Sequence, residues 1–349
     1  MSTLSARVTQ PMQGNAPHAV SYKLLLSLYA IIPLCLIFQL TDSYAFGGEL
    51  MQSLPSSPGH LMIFQLLFGT PHILASGILI TSNKDYFSYY QKKILWMTLA
   101  LMLFFSIATQ VMSYHMLYIM VAFWTVYHVL KQQHGVGRGI YQLPTWAFYL
   151  LLWLSIGAGI SIYMGVFLKN TLTVQQTEWV KQAAGGLVIS LLLSTFWCQQ
   201  YVKTRFGSLF MWSNSFLIIS SFYFYTQQYY FLAILIPRLV HDSTAYIFYV
   251  THDANKHAGH PQNFLYRWAE KIKLNVFIVL PLLSFALTFL LNEYGDQWVD
   301  VLTQFFLDMK FRQVISVGLI GYFSLMHYYT EAFTWKYGSP YRKYIRFKP

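Results

Sequence analysis

The sequence predicts an all-α fold: a polytopic integral membrane helical bundle of about ten transmembrane helices, with both termini cytoplasmic. Three observations carry that expectation. Of 349 residues, 56% are hydrophobic and only 10% charged, whereas a soluble domain spends about a quarter of its residues on charge. Apolar stretches recur at the length needed to cross the membrane, about 20 residues for roughly 30 Å of hydrocarbon. The lysines and arginines sort to one side of those stretches. The same composition excludes a disordered chain. With only Cys35 and Cys198, it also excludes a disulfide framework and a cysteine-built zinc site.

The elements follow in order. A polar cytoplasmic tail, residues 1–21, precedes the first span at 22–40. The second, 60–81, carries Pro71. The third and fourth, 93–112 and 115–130, are separated only by a turn at Ser113 and Tyr114; without that turn the count would be nine. Gly135 and Gly137 mark the end of the fourth, and the run Gly135-Val-Gly-Arg-Gly139 reads as a flexible inner loop, with no preceding strand or following Lys-Ser/Thr to make it a phosphate loop. The fifth span covers 146–168. Segment 173–184, around Trp179, is expected in the interface ahead of the sixth span at 183–202. The seventh, eighth, ninth and tenth cover 208–226, 229–251, 272–291 and 313–334. These spans form a single transmembrane domain, 22–334, and 335–349 is a basic cytoplasmic tail.

The positive-inside rule supports this order. One side collects Arg7, Lys23, Lys84, Lys92, Lys93, Lys131, Arg138, Lys203, Arg205, Lys256, Arg267, Lys271, Lys273 and the basic tail. The other holds Lys169, Lys181, Lys310 and Arg312, with the acids Glu293, Asp296, Asp300 and Asp308 of the 292–312 loop. The formal net charge of +11 is thus explained by membrane insertion, and no nucleic-acid partner is expected. The setting implied is a bacterial inner membrane.

Ionisable groups inside hydrocarbon are costly and face a protein interior. His18, His60 and His115 sit in the tail or at span ends, where an amphipathic ring suits the interface. His72, His241, His327 and His128 instead lie within outward-to-inward spans, at depths of roughly 15, 15, 10 and 3 Å from the inner end at 1.5 Å per residue. Packed together, the four would surround one site. Arg238 shares the His241 face one turn earlier, and His252 shares it three turns later. Glu331 follows His327 by four residues, and Trp124 and Gln132 flank His128. The expected metal ligands are therefore His72, His128, His241, His252 and His327. Arg238, Asp242 and Glu331 are the expected catalytic groups, and Asp242, Asp253 and Glu331 are the carboxylates available to orient an imidazole. His257 and His260 read as solvated loop residues, and His134 as one that folds back toward the site if the helix ends at Gly135.

Imidazole with carboxylate and no thiolate suits iron, copper or zinc. Aromatic walls inside a bilayer suit an apolar substrate. The combination predicts a non-haem iron oxygenase acting on a lipid or isoprenoid, with membrane lipid and a hydrophobic small molecule as partners. The close His pairs of di-iron desaturases are absent. Three alternatives remain: a haem b electron-transfer subunit with His72 and His241 as axial ligands, a proton-coupled transporter using Arg238, His241, Asp242 and Glu331, and a structural partner in a larger assembly whose histidines are replaceable.

The motif Gly69-Thr-Pro-His72 resembles an early Gly-x-Pro-His motif of the bacterial Brp/Blh-type carotene dioxygenases, polytopic proteins whose iron is attributed to histidines from several spans. That family places an acid near the motif; here the next one is Asp85. Its later Trp-His-x-x-x-His element has no match, since Tyr127-His128 is followed by His134. The segments around Tyr127-His128 and His327-Tyr-Tyr also resemble those of other His-rich polytopic bacterial membrane proteins. The resemblance implies an iron-dependent dioxygenase.

Overall fold

A run of long apolar helices ordered around one central helix makes up the chain. The computed structural model describes residues 18–56, 69–257, 259–308, 320–336 and 338–348. Helix α1 spans Tyr22–Ala45 and is capped by Ser21, whose side chain accepts from Leu24 N. A short α2, Glu49–Ser53, follows. The described part of α3 is Thr70–Ser82, with Pro71 in its first turn, where a missing N–H removes no helical bond. Next come α4, Lys84–Val111, and α5, Tyr114–Tyr141. They are separated at the expected turn, where Ser113 caps α5 by accepting from Met116 N. Helices α6, Thr145–Phe167, α7, Val174–Cys198, α8, Arg205–Thr226, and α9, Tyr230–His257, complete the middle of the chain. A short α10, Phe264–Lys271, leads to α11, Val276–Leu307, and α12, Ile320–Thr334.

Five helices among the described residues are long and apolar enough to cross a membrane: Tyr22–Ala45, Thr145–Phe167, Val174–Tyr201, Tyr230–His257 and Val276–Phe306. Their outward faces carry Phe196, Leu193, Trp153, Val301 and Phe305, all more than half exposed. Apolar faces of that extent call for a lipid solvent, and the chain is a membrane protein.

Helix α9 sits at the centre, in contact with α3, α5, α8 and α11. Small residues let its neighbours close in. At Gly165 of α6, an added Cβ would fall on the Tyr225 hydroxyl of α8. At Gly137 it would lie 2.8 Å from Asn214 Nδ2 of the same helix. The glycine run 135–139 is therefore not a loop: α5 continues through it to Tyr141 and ends at Gln142 in the left-handed conformation, φ 50°. Gly137 serves close helix contact, whereas a side chain at Gly135 would meet nothing within 4 Å.

Other expectations are corrected in the same way. Segment 173–184, expected in the interface, forms the first turns of α7, which Thr173 and Gln176 start with a reciprocal capping box. The stretch after residue 291 remains helical to Leu307. The C-terminal tail is built into the fold: Val20 pairs with Phe347 and Ser21 with Lys348 in a parallel two-strand contact. Asn255, near the end of α9, donates to both His18 O and Tyr344 O at 2.8 Å. His18 is exposed, as expected. His60, the start of the second span and the start of the tenth lie outside the described residues, as does the side chain of His115.

Candidate metal centre

Four helices each contribute one imidazole to a single buried group. His72 comes from the first turn of α3, His128 from α5, His241 from α9 and His327 from α12, and all four are at most 8% exposed. Their rings close a four-sided arrangement. His72 to His241 is 5.1 Å between centroids, His241 to His128 5.0 Å, His128 to His327 5.0 Å and His327 back to His72 4.8 Å. Adjacent rings meet edge to face, at 68° to 86°.

Two carboxylates edge this arrangement. Asp242 Oδ1 lies 3.1 Å from His72 Nδ1 and 4.0 Å from His241 Nε2. Glu331 Oε2 lies 3.3 Å from His128 Nε2 and 3.8 Å from His327 Nε2. Glu331 is further held by Gln132 Nε2, which donates to Oε2 at 3.2 Å, and by the Tyr249 hydroxyl, which donates to Oε1. Tyr328 lies against His128, with centroids 4.4 Å apart, and its hydroxyl is 2.7 Å from Thr125 Oγ1.

The local sequence explains why α9 can present its groups. Pro237 interrupts the helix four residues before His241 and leaves the Ala233 carbonyl without its helical donor. Ser221 Oγ of α8 donates to that carbonyl at 2.7 Å, the kind of substitute bond that makes proline tolerable in a membrane helix.

Several ligand-capable nitrogens in this group face a carboxylate at ion-pair distance without a hydrogen bond. His241 Nδ1 and Nε2, His128 Nε2 and His327 Nε2 make no hydrogen bond among the described residues. Buried polar atoms are normally satisfied, so imidazole nitrogens left without a hydrogen bond fit a cation. Two sets can hold one: His72, His241 and His327, and His128, His327 and Glu331. In each, the ligand atoms lie within 4.8 Å of one another.

The remaining candidates lie elsewhere. His252 is wholly buried but belongs to a second polar cluster. Its Nδ1 is 2.8 Å from Asp253 Oδ1, its Nε2 is 2.6 Å from the Tyr86 hydroxyl, and its ring stacks on Tyr341 at 4.3 Å. Both nitrogens are engaged, so His252 is not a ligand of the four-imidazole group. The acid Asp85 pairs with Lys256 at 2.7 Å, and the carboxylate next to His72 comes instead from α9. His134 is buried within α5, 3.1 Å from Ser155 Oγ, and does not fold back. His257 is not a solvated residue: α9 extends to include it, and its ring stacks on Tyr266 at 4.0 Å. His260 is exposed. Trp124 is half exposed on the outer face of α5. Sequence reasoning missed Ser76, Tyr249 and Ser221. Two of these had a readable signal: Ser76 lies four residues past His72 on one face of α3, and Tyr249 eight residues past His241 on α9.

No known protein family, curated protein or solved structure matches the chain.

Proposed function

We propose that the chain is an integral membrane metalloprotein whose centre holds non-haem iron and oxidises a hydrophobic substrate, a lipid or isoprenoid, in the cytoplasmic half of a ten-span bundle of a bacterial inner membrane. The observation that carries this reading is the closed group of four buried imidazoles, within which two three-residue sets bring their ligand atoms within 4.8 Å of one another. An imidazole and carboxylate donor set without thiolate suits iron, copper or zinc, and two histidines with one carboxylate is a set used by oxygen-activating iron. Bound iron would supply one-electron and oxygen chemistry. The chain's own residues do the rest. Asp242 and Glu331 orient and polarise the imidazoles, Tyr249 and Gln132 hold Glu331, and the apolar helices keep bulk water away.

The geometry favours an ion over haem b. His72 and His241 meet edge to face, and His128 and His327 close the sides where a porphyrin plane would have to lie. The Gly69-Thr-Pro-His72 resemblance to Brp/Blh-type dioxygenases supports the same chemistry at the level of one motif.

The test is metal content per chain, with an absorption spectrum, on protein purified without chelator. Stoichiometric iron without a Soret band is the expected result. A Soret band overturns the non-haem reading, and a metal-free protein overturns the metalloprotein reading.

A further inference from the structure

Arg238 is 3% exposed, and its Nε and Nη2 have no hydrogen-bond partner among the described residues. These nitrogens form one edge of the guanidinium fork, the pair that receives both oxygens of a carboxylate. The protein's own acids do not use that edge. Asp242 sits one turn on in α9 but directs Oδ1 toward His72 Nδ1. Glu331 is engaged by His128, Gln132 and Tyr249. No ion pair joins the guanidinium to a carboxylate among the described residues.

A buried cation with idle donors is costly unless something satisfies it. Charge points to the missing partner. Arg238 offsets one of the carboxylates Asp242 and Glu331. A divalent ion among the imidazoles would then leave one positive charge, which a singly charged anion cancels. A small, mostly apolar cavity borders Pro237, the residue before Arg238, and is lined also by Tyr163, Val126, Ile218 and Ser221; the Tyr328 hydroxyl bonds the guanidinium itself.

We propose that Arg238 receives the carboxylate head of an amphiphilic substrate, a long-chain carboxylic acid taken from the lipid, and holds it beside the four imidazoles. This inference rests on the metal-site reading and narrows its substrate class.

The experiment compares cis-parinaric acid with its methyl ester, read by energy transfer from protein tryptophan, on the full-length protein in neutral-lipid nanodiscs against empty nanodiscs. The acid is expected to bind about tenfold tighter than the ester. Arg238→Gln should bring the acid down to the level of the ester. Arg238→Lys, which keeps the charge but loses the fork, should fall between and guards against a folding defect. Equal binding of acid and ester, no binding of either, or a preference that survives Arg238→Gln overturns the proposal. Displacement of the acid by acetate, without dependence on chain length, also overturns it and assigns the fork to a small anion. Metal content is measured on the same samples. Metal without acid preference sinks this inference alone, and acid preference without metal sinks the metalloprotein reading alone.

Discussion

Ser76 Oγ lies 2.7 Å from His327 Nδ1, a contact that joins α3 to α12 and settles which nitrogen of the imidazole faces its neighbours. The same hydroxyl donates its proton to Ile73 O at 2.9 Å, so toward His327 it acts as acceptor. His327 therefore carries its proton on Nδ1 and presents the lone pair of Nε2 to the four-imidazole group. A hydrogen bond of this kind fixes both tautomer and ring orientation.

Replacing Ser76 with alanine should weaken metal binding by about 10- to 100-fold, the usual cost of losing such a partner, while the protein stays folded. Metal titration of Ser76→Ala in detergent checks this. Unchanged affinity would show that the hydroxyl does not orient His327.

The two buried histidine clusters should separate in a metal assay. His72→Ala, His241→Ala and His327→Ala each remove a nitrogen from a three-ligand set and should abolish stoichiometric metal. His252→Ala should retain it. That variant should instead lose thermal stability, because it strands Asp253 Oδ1 and the Tyr86 hydroxyl in the interior, a loss of about 1–3 kcal/mol per unsatisfied group. Metal loss in His252→Ala would join the two clusters functionally.

Ser221→Ala removes the donor to the carbonyl freed by Pro237. The expected result is a destabilisation of about 1–3 kcal/mol in thermal unfolding, with Ser221→Thr restoring most of it. No change in melting would mean that another group takes over the Ala233 carbonyl.

Tyr266 lies outside the membrane spans and donates to Asp253, and burial pushes its phenol well above the ordinary range. A raised folded-state pKa stabilises the protein fully below the unfolded value, near 10 for tyrosine, and that contribution is lost as pH climbs further. Stability should hold up to about pH 10 and then fall, and Tyr266→Phe should flatten the alkaline limb. An identical alkaline limb in the variant would assign the fall to another group.

How much of this was legible beforehand depends on the kind of signal. The helices and the convergence of His72, His128, His241 and His327 could be read because hydrophobicity and intramembrane charge are written along the chain. The pairing of Asp242 with His72 could not, since it needs the relative rotation of α3 and α9, which no spacing within one helix reports. His252 shared the His241 face, as expected, but three turns along α9 carried it past the four-imidazole group into contact with Tyr86 and Tyr341. Gly137 misled because glycine marks both helix ends and close helix contacts, and only the neighbouring Asn214 decides between them; Gly135 sits in a helix with open space around it. Thr173 with Gln176 was a readable cap that an emphasis on span length passed over.

The strand contact between residues 20–21 and 347–348 has a counting consequence. Two stretches of one chain that touch must lie on the same side of a bilayer, so the path from Ser21 to Phe347 crosses an even number of times. The ten-span arrangement proposed above meets that condition, and nine would not. It also means that a reporter at either end would be reached by the same membrane-impermeant reagent, whichever compartment that side faces.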